Sequence, residues 1–238
     1  MALFFPMVKK IIQLDAKNQY LKTINIGYQD NISSDKYNSL FEFDPVDNLF
    51  YITLHRDTYE RNQYNKIALV GAFNLKGELV SSFGEYPENY KNLEGDKSAW
   101  KFSFFDKDED FYYAMFNRNN YIYKYDNGFN LIEKIRLPRD FIAEKDYHGK
   151  ILNAFKKQPE RNVFFLITNE TFLQTDGTEG VYVDLKWFNA DKNPYGILPL
   201  KNYMRIHQIT EEGTLILLDR NSYDDAYFYF YDFSKKGS

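Results

Sequence analysis

The stretch from Trp100 to Pro138, WKFSFFDKDEDFYYAMFNRNNYIYKYDNGFNLIEKIRLP, holds four short apolar and aromatic runs separated by three polar turns. Residues 100–105, 111–116, 121–125 and 131–137 are each of strand length, and each is rich in the aromatic and β-branched residues that suit a pleated surface. Four strands joined by tight turns make a meander. A lone meander exposes two apolar faces, so it must pack on copies of itself or on another layer.

Copies are present. DNLFYITLHR from Asp47, EDFYYAMFNR from Glu109, RNVFFLITNE from Arg161 and EGTLILLDRN from Glu212 each place a polar pair before an apolar run that ends in polar residues, at spacings of 62, 52 and 51 residues. A second register sets an apolar residue before Asp or Asn and a turn: LDAKNQ, FNLKGE, YDNGFN, FNADKN and YDFSKKG, anchored on Asp15, Asn74, Asp126, Asn189 and Asp232. A period near 50 residues with four strands each is the signature of a β-propeller. The predicted fold class is therefore all-β, a β-propeller of four-stranded antiparallel blades, in a single domain over residues 1–238. A two-sheet sandwich would lack the repeated four-strand register.

With strands named A to D, residues 8–26 supply C and D, residues 38–87, 99–138 and 150–200 supply full blades, and residues 203–233 supply A, B and C. That is four to five blades' worth. The end segments then sum to five strands where closure needs four. Either the ring closes at four blades with one strand surplus, or the chain is the C-terminal piece of a larger ring; an abrupt start inside a blade favours the second. Unpaired blade edges left by an open ring recruit partners, so self-association is expected. Residues 139–157 read as loop with at most one helical turn, because Gly149 interrupts their helical pattern.

Aromatic residues make up 19% of the chain, with 21 Tyr and 22 Phe, so large flat side chains build the core. Lys plus Arg number 30 against 34 Asp plus Glu, a net charge of -4, which supplies no field for phosphate backbones; no nucleic acid partner is expected. The absence of Cys excludes disulfides, thiolate metal sites and a cysteine nucleophile. The opening MALFFPMVKKIIQL puts Lys9 and Lys10 after the apolar patch, the reverse of a signal peptide. No apolar run approaches the roughly 20 residues that span a bilayer, so no membrane span is expected.

The blade ending YIYKYDNGFNLIEKIRLP, with its Tyr-Asp turn and closing Leu-Pro, resembles the TolB-like six-bladed propellers, and more narrowly the uncharacterised propeller lipoproteins common in Bacteroidetes. The likeness covers most of residues 8–233 and rests on blade scaffolding. It implies a fragment of a six-bladed ring and a periplasmic or cell-surface location. Members of that group usually carry an export signal and a lipid-attachment Cys, which this sequence lacks, so the resemblance implies N-terminal truncation or leaves the location open.

In a propeller the D-to-A and B-to-C loops emerge on one face. Here they read as long, at residues 27–37, 88–99 and 139–149 and at residues 56–65 and 169–180, whereas the opposite turns are short. Long loops on a rigid scaffold are where binding usually resides. The candidate ligand-binding residues on that face are Tyr59, Arg61, Arg118, Phe172, Arg220 and Tyr223, with Tyr64 and Asp176 beside them. Aromatic faces stack on sugar rings or peptide side chains, and Arg offers forked donors to carboxylates.

His55, His148 and His207 have no partner at metal-type spacing, and no metal or cofactor is expected. The acidic run Asp106 to Asp110 lacks the calcium-loop pattern and reads as a solvated turn. No catalytic motif occurs and no catalytic residue is assigned. The expectation is a non-enzymatic binding or scaffold module that engages a glycan, peptide or protein. The alternative, a carboxylate-dependent hydrolase or lyase acting on a carbohydrate, needs Asp57, Glu170 or Asp219 to share a central cavity.

Overall fold

The computed structural model describes residues 2–5, 10–27, 41–54, 68–87, 103–116, 119–138, 141, 151–159, 161–192, 195–201, 204–219 and 227–233. Among these every regular element is a strand. The first sheet holds β1 (Ala2–Phe5), β2 (Lys10–Leu14) and β3 (Tyr20–Asn25), and the second holds β4 (Phe41–Asp44), β5 (Leu49–Thr53), β6 (Ala68–Phe73) and β7 (Leu79–Glu85). The third contains β8 (Ser103–Lys107), β9 (Tyr112–Phe116), β10 (Tyr121–Tyr125) and β11 (Leu131–Arg136). The fourth contains β12 (Ile151–Lys157), β13 (Val163–Leu173), β14 (Glu179–Asn189) and β15 (Tyr195–Leu200). The fifth has β16 (Met204–Ile209), β17 (Thr214–Asp219) and β18 (Tyr227–Asp232).

Every sheet is an antiparallel meander in chain order, as a propeller blade is. The fold class is thus the all-β, β-propeller class expected from the repeat. One detail differs: residues 2–5 form an additional strand on β2, so the chain opens with strands B, C and D, and the end segments contribute six strands rather than five. An apolar tetrapeptide ending before Pro6 was too short to register as a repeat copy. Residues 151–157 form strand β12, the first strand of the blade expected over residues 150–200.

The chain divides into two compact units, residues 1–103 with 128–130, and residues 104–127 with 131–238. In the first, Ile11 and Ile24 pack with Phe50, Ile52, Leu54 and Phe73. In the second, Phe165, Ile167, Leu185, Leu215 and Leu217 form a core in which each is fully buried. The second strand of each four-stranded blade is flanked on both edges and covered on both faces, which is why LFYIT, YYAMF and VFFLIT read as nearly unbroken apolar runs.

The Asp/Asn register has a local cause. Asp15 Oδ1 accepts the amides of Lys17 and Gln19, Asn74 Oδ1 those of Lys76 and Glu78, and Asn189 Oδ1 those of Asp191 and Lys192. Each side chain replaces a backbone acceptor and pins the turn that follows its strand. Four turns, at residues 15–19, 74–78, 174–178 and 210–214, share one hydrogen-bond pattern, and their fourth residue is left-handed: Asn18, Gly77, Gly177 and Gly213.

Candidate functional site

Strands β13 and β14 pair over eleven positions, from Val163 opposite Asn189 to Leu173 opposite Glu179. Their neighbours are shorter: β12 pairs with β13 only as far as Asn169, and β15 with β14 only as far as Val183. Among the described residues, the pairs from Glu170–Tyr182 to Leu173–Glu179 therefore form a two-stranded arm with no third strand beside it. This corrects the reading of residues 169–180 as a long loop. The strands continue, and only the tight turn Gln174–Thr178 separates them, closed by Gln174 N–H to the Thr178 carbonyl (2.8 Å) and Gly177 N–H to the Gln174 carbonyl (3.0 Å). The Asp-Gly pair at 176–177, flanked by alternating VYVDL, is a hairpin signal that the loop reading passed over.

The arm carries an aromatic pair. Phe172 lies directly opposite Gly180, and a Cβ on Gly180 would sit 2.4 Å from the Phe172 ring. Only glycine lets that ring lie flat across the partner strand. From there Phe172 stacks on Tyr182, with centroids 4.1 Å apart and planes 17° from parallel. Tyr182 is 58% exposed and its neighbour Val181 40%. At the tip, the Thr178 hydroxyl and amide both donate to Asp176 Oδ1 and hold that carboxyl below the usual range.

Phe172 is the one candidate ligand residue among the described residues. Tyr59, Arg61, Arg118, Arg220 and Tyr223 lie outside them, as do Tyr64, Asp57, His55, His148 and the connections 28–37, 88–99 and 142–149. Of the carboxylates weighed for catalysis, Glu170 is half-buried in the arm and Asp219 is buried at the end of β17. His207 occupies the register shift in β16 and meets the Phe228 ring edge-on at 5.4 Å. No cluster of three or more His, Cys, Asp or Glu that could hold a metal occurs among the described residues.

The acidic run behaves differently from a solvated turn. Asp106 accepts Lys156 Nζ (2.7 Å) and the Lys157 backbone amide (2.7 Å), and its side chain is only 11% exposed. Asp108 pairs with Lys157 Nζ at 2.8 Å and accepts the Tyr113 hydroxyl and the Phe111 amide. Burial pushes the Asp108 carboxyl up, but Lys157, Tyr113 and the Phe111 amide more than offset that and leave it below the ordinary carboxylate range. Burial, then the bond to Asp108, push the Tyr113 hydroxyl well above the phenol range. This network ties the third sheet to the fourth and forms one wall of a cavity of about 240 Å³ whose other wall includes Gln158, His207 and Glu211.

No protein-family model matches the chain, and no curated protein does. Solved structures share its fold. A crystal structure of a member of the DUF4221 family from Bacteroides vulgatus ATCC 8482 superposes with TM-score 0.62 at 14% identity, over 97% of this chain and 75% of that one. A protein of Bacteroides fragilis NCTC 9343, provisionally described as exported, superposes with TM-score 0.52 at 9% identity, over 91% of this chain and 62% of that one.

Proposed function

We propose that this chain is a non-enzymatic binding module of the cell envelope that engages a glycan or a peptide through the β13–β14 arm. The observation that carries the reading is the Phe172–Tyr182 stack, fixed by Gly180 on a two-stranded projection, with most of the Tyr182 surface open to solvent. Rigid aromatic faces are suited to sugar rings and flat side chains, because stacking gains area without freezing a flexible chain. The reading takes a TolB-like six-bladed ring as the parent architecture. It takes a periplasmic or cell-surface location from the fold shared with a Bacteroides protein provisionally described as exported.

A glycan and peptide array probed with wild type, Phe172→Ala and Tyr182→Ala tests it. Loss of one stacked ring should weaken retention of the best hit about tenfold. Equal retention by all three proteins removes the arm from consideration. Turnover of an arrayed glycan moves the assignment to a carboxylate-dependent enzyme.

A further inference from the structure

The fifth sheet ends on a strand whose sequence differs from those of the outermost strands β3, β7, β11 and β15. β18, Tyr-Phe-Tyr-Phe-Tyr-Asp, follows β16 and β17 in the order A, B, C, and among the described residues no strand pairs with its outer edge. In the second and third sheets the corresponding strands, β6 and β10, are mostly buried and are paired on both edges, the outer one by β7 and β11. In β18, Tyr227 is 57%, Phe228 49%, Tyr229 39% and Phe230 68% exposed.

The covering strands carry devices that keep a sheet edge from pairing further: Lys22 in β3, Glu85 in β7, Glu133, Lys134 and Arg136 in β11, and Pro199 in β15. β18 carries none before Asp232, so its edge is built to be covered.

We propose that β18 pairs antiparallel with β18 of a second copy of this chain. The strand is self-complementary: matched end to end, Tyr227 faces Asp232, Phe228 faces Tyr231 and Tyr229 faces Phe230 of the other copy. The two carboxylates fall at opposite ends, and the middle of the seam is wholly aromatic and uncharged. Two three-stranded sheets become one continuous six-stranded sheet, closed by a two-fold axis and leaving no further edge at the seam. The inference rests on β18 alone and stands or falls apart from the arm.

Light scattering on the full chain across concentration, with amide exchange read at each concentration, tests it. Wild type should show a monomer–dimer equilibrium, with β18 amides slowing as dimer forms. Phe230→Lys and the oppositely charged Phe230→Glu should each raise the dimer dissociation constant about tenfold or more, from two lost cross-strand contacts per dimer. Val80→Lys, at a 58% exposed site on β7, should leave it unchanged. A monomer at every concentration overturns the proposal, as does a dimer that survives both Phe230 variants. So do β18 amides equally protected in the monomer, which would show the edge covered within its own chain.

Discussion

Lys156 and Lys157 are adjacent on β12, each paired to an aspartate of the β8–β9 segment, yet their removal should differ sharply in cost. The Lys157 side chain is 5% exposed and its partner Asp108 21%, whereas Lys156 is 39% exposed. Breaking a buried pair from one side costs about 3–5 kcal/mol, because the remaining charge is stranded. Asp108 keeps the Tyr113 hydroxyl and the Phe111 amide, and a methionine would fill the volume of the lysine stem while giving up the contact of Lys157 Nζ with the Tyr113 ring at 5.2 Å. Lys157→Met should therefore cost about 2–3 kcal/mol at neutral pH. Lys156→Met should cost less, about 1 kcal/mol, because Lys156 is itself half-exposed and Asp106, though only 11% exposed, keeps the Lys157 backbone amide. Urea unfolding reads both, the first as a midpoint shift of about 1 M. The Asp108 carboxyl is depressed in the folded state, so its contribution is present above the unfolded value of about 3.9 and is lost as pH falls through the folded value. The gap between wild type and Lys157→Met should accordingly narrow at about pH 3. Equal costs for the two lysines, or a gap that is the same at about pH 3 and about pH 7, would refute the reasoning.

Gly77 and Gly177 share a left-handed backbone, with φ of 83° and 81°, but a Cβ on Gly77 would meet the Asn25 carbonyl oxygen at 1.9 Å while one on Gly177 meets nothing. Gly177→Ala should cost about 1 kcal/mol and Gly77→Ala several times that, measured by thermal unfolding. Gly180→Ala should cost under about 1 kcal/mol, because the Phe172 ring can swing aside, yet it should reduce array binding as Phe172→Ala does. Tyr113 is raised in the folded state, so its contribution is complete below about pH 10 and is lost above it; Tyr113→Phe should flatten that alkaline loss in unfolding scans.

The blades were legible in the sequence because two signals recur: a flanked second strand that must be apolar on both faces, as in β5, β9 and β13, and an Asp or Asn whose side-chain oxygen pins the following turn, as at Asp15, Asn74 and Asn189. β1 was missed because four apolar residues carry neither signal. The arm was missed because strand length depends on neighbours: among the described residues β13 and β14 outrun β12 and β15, and nothing within residues 169–183 reports where the flanking strands stop. Phe172 was picked out as a loop aromatic. Its partner Tyr182 was hidden, since the diagonal stack depends on the register that puts Gly180 opposite Phe172. The acidic run misled for a similar reason: Lys156 and Lys157 lie about 50 residues on, and only packing of the third sheet on the fourth brings them to Asp106 and Asp108.

The most direct test of the binding account is saturation transfer from the rings of Phe172 and Tyr182, in protein protonated only at Phe and Tyr, to the best array hit. The account predicts transfer to the carbon-bound protons on one face of a sugar ring or flat side chain, abolished in Phe172→Ala and Tyr182→Ala and weakened in Gly180→Ala. Undiminished transfer in all three variants would contradict it.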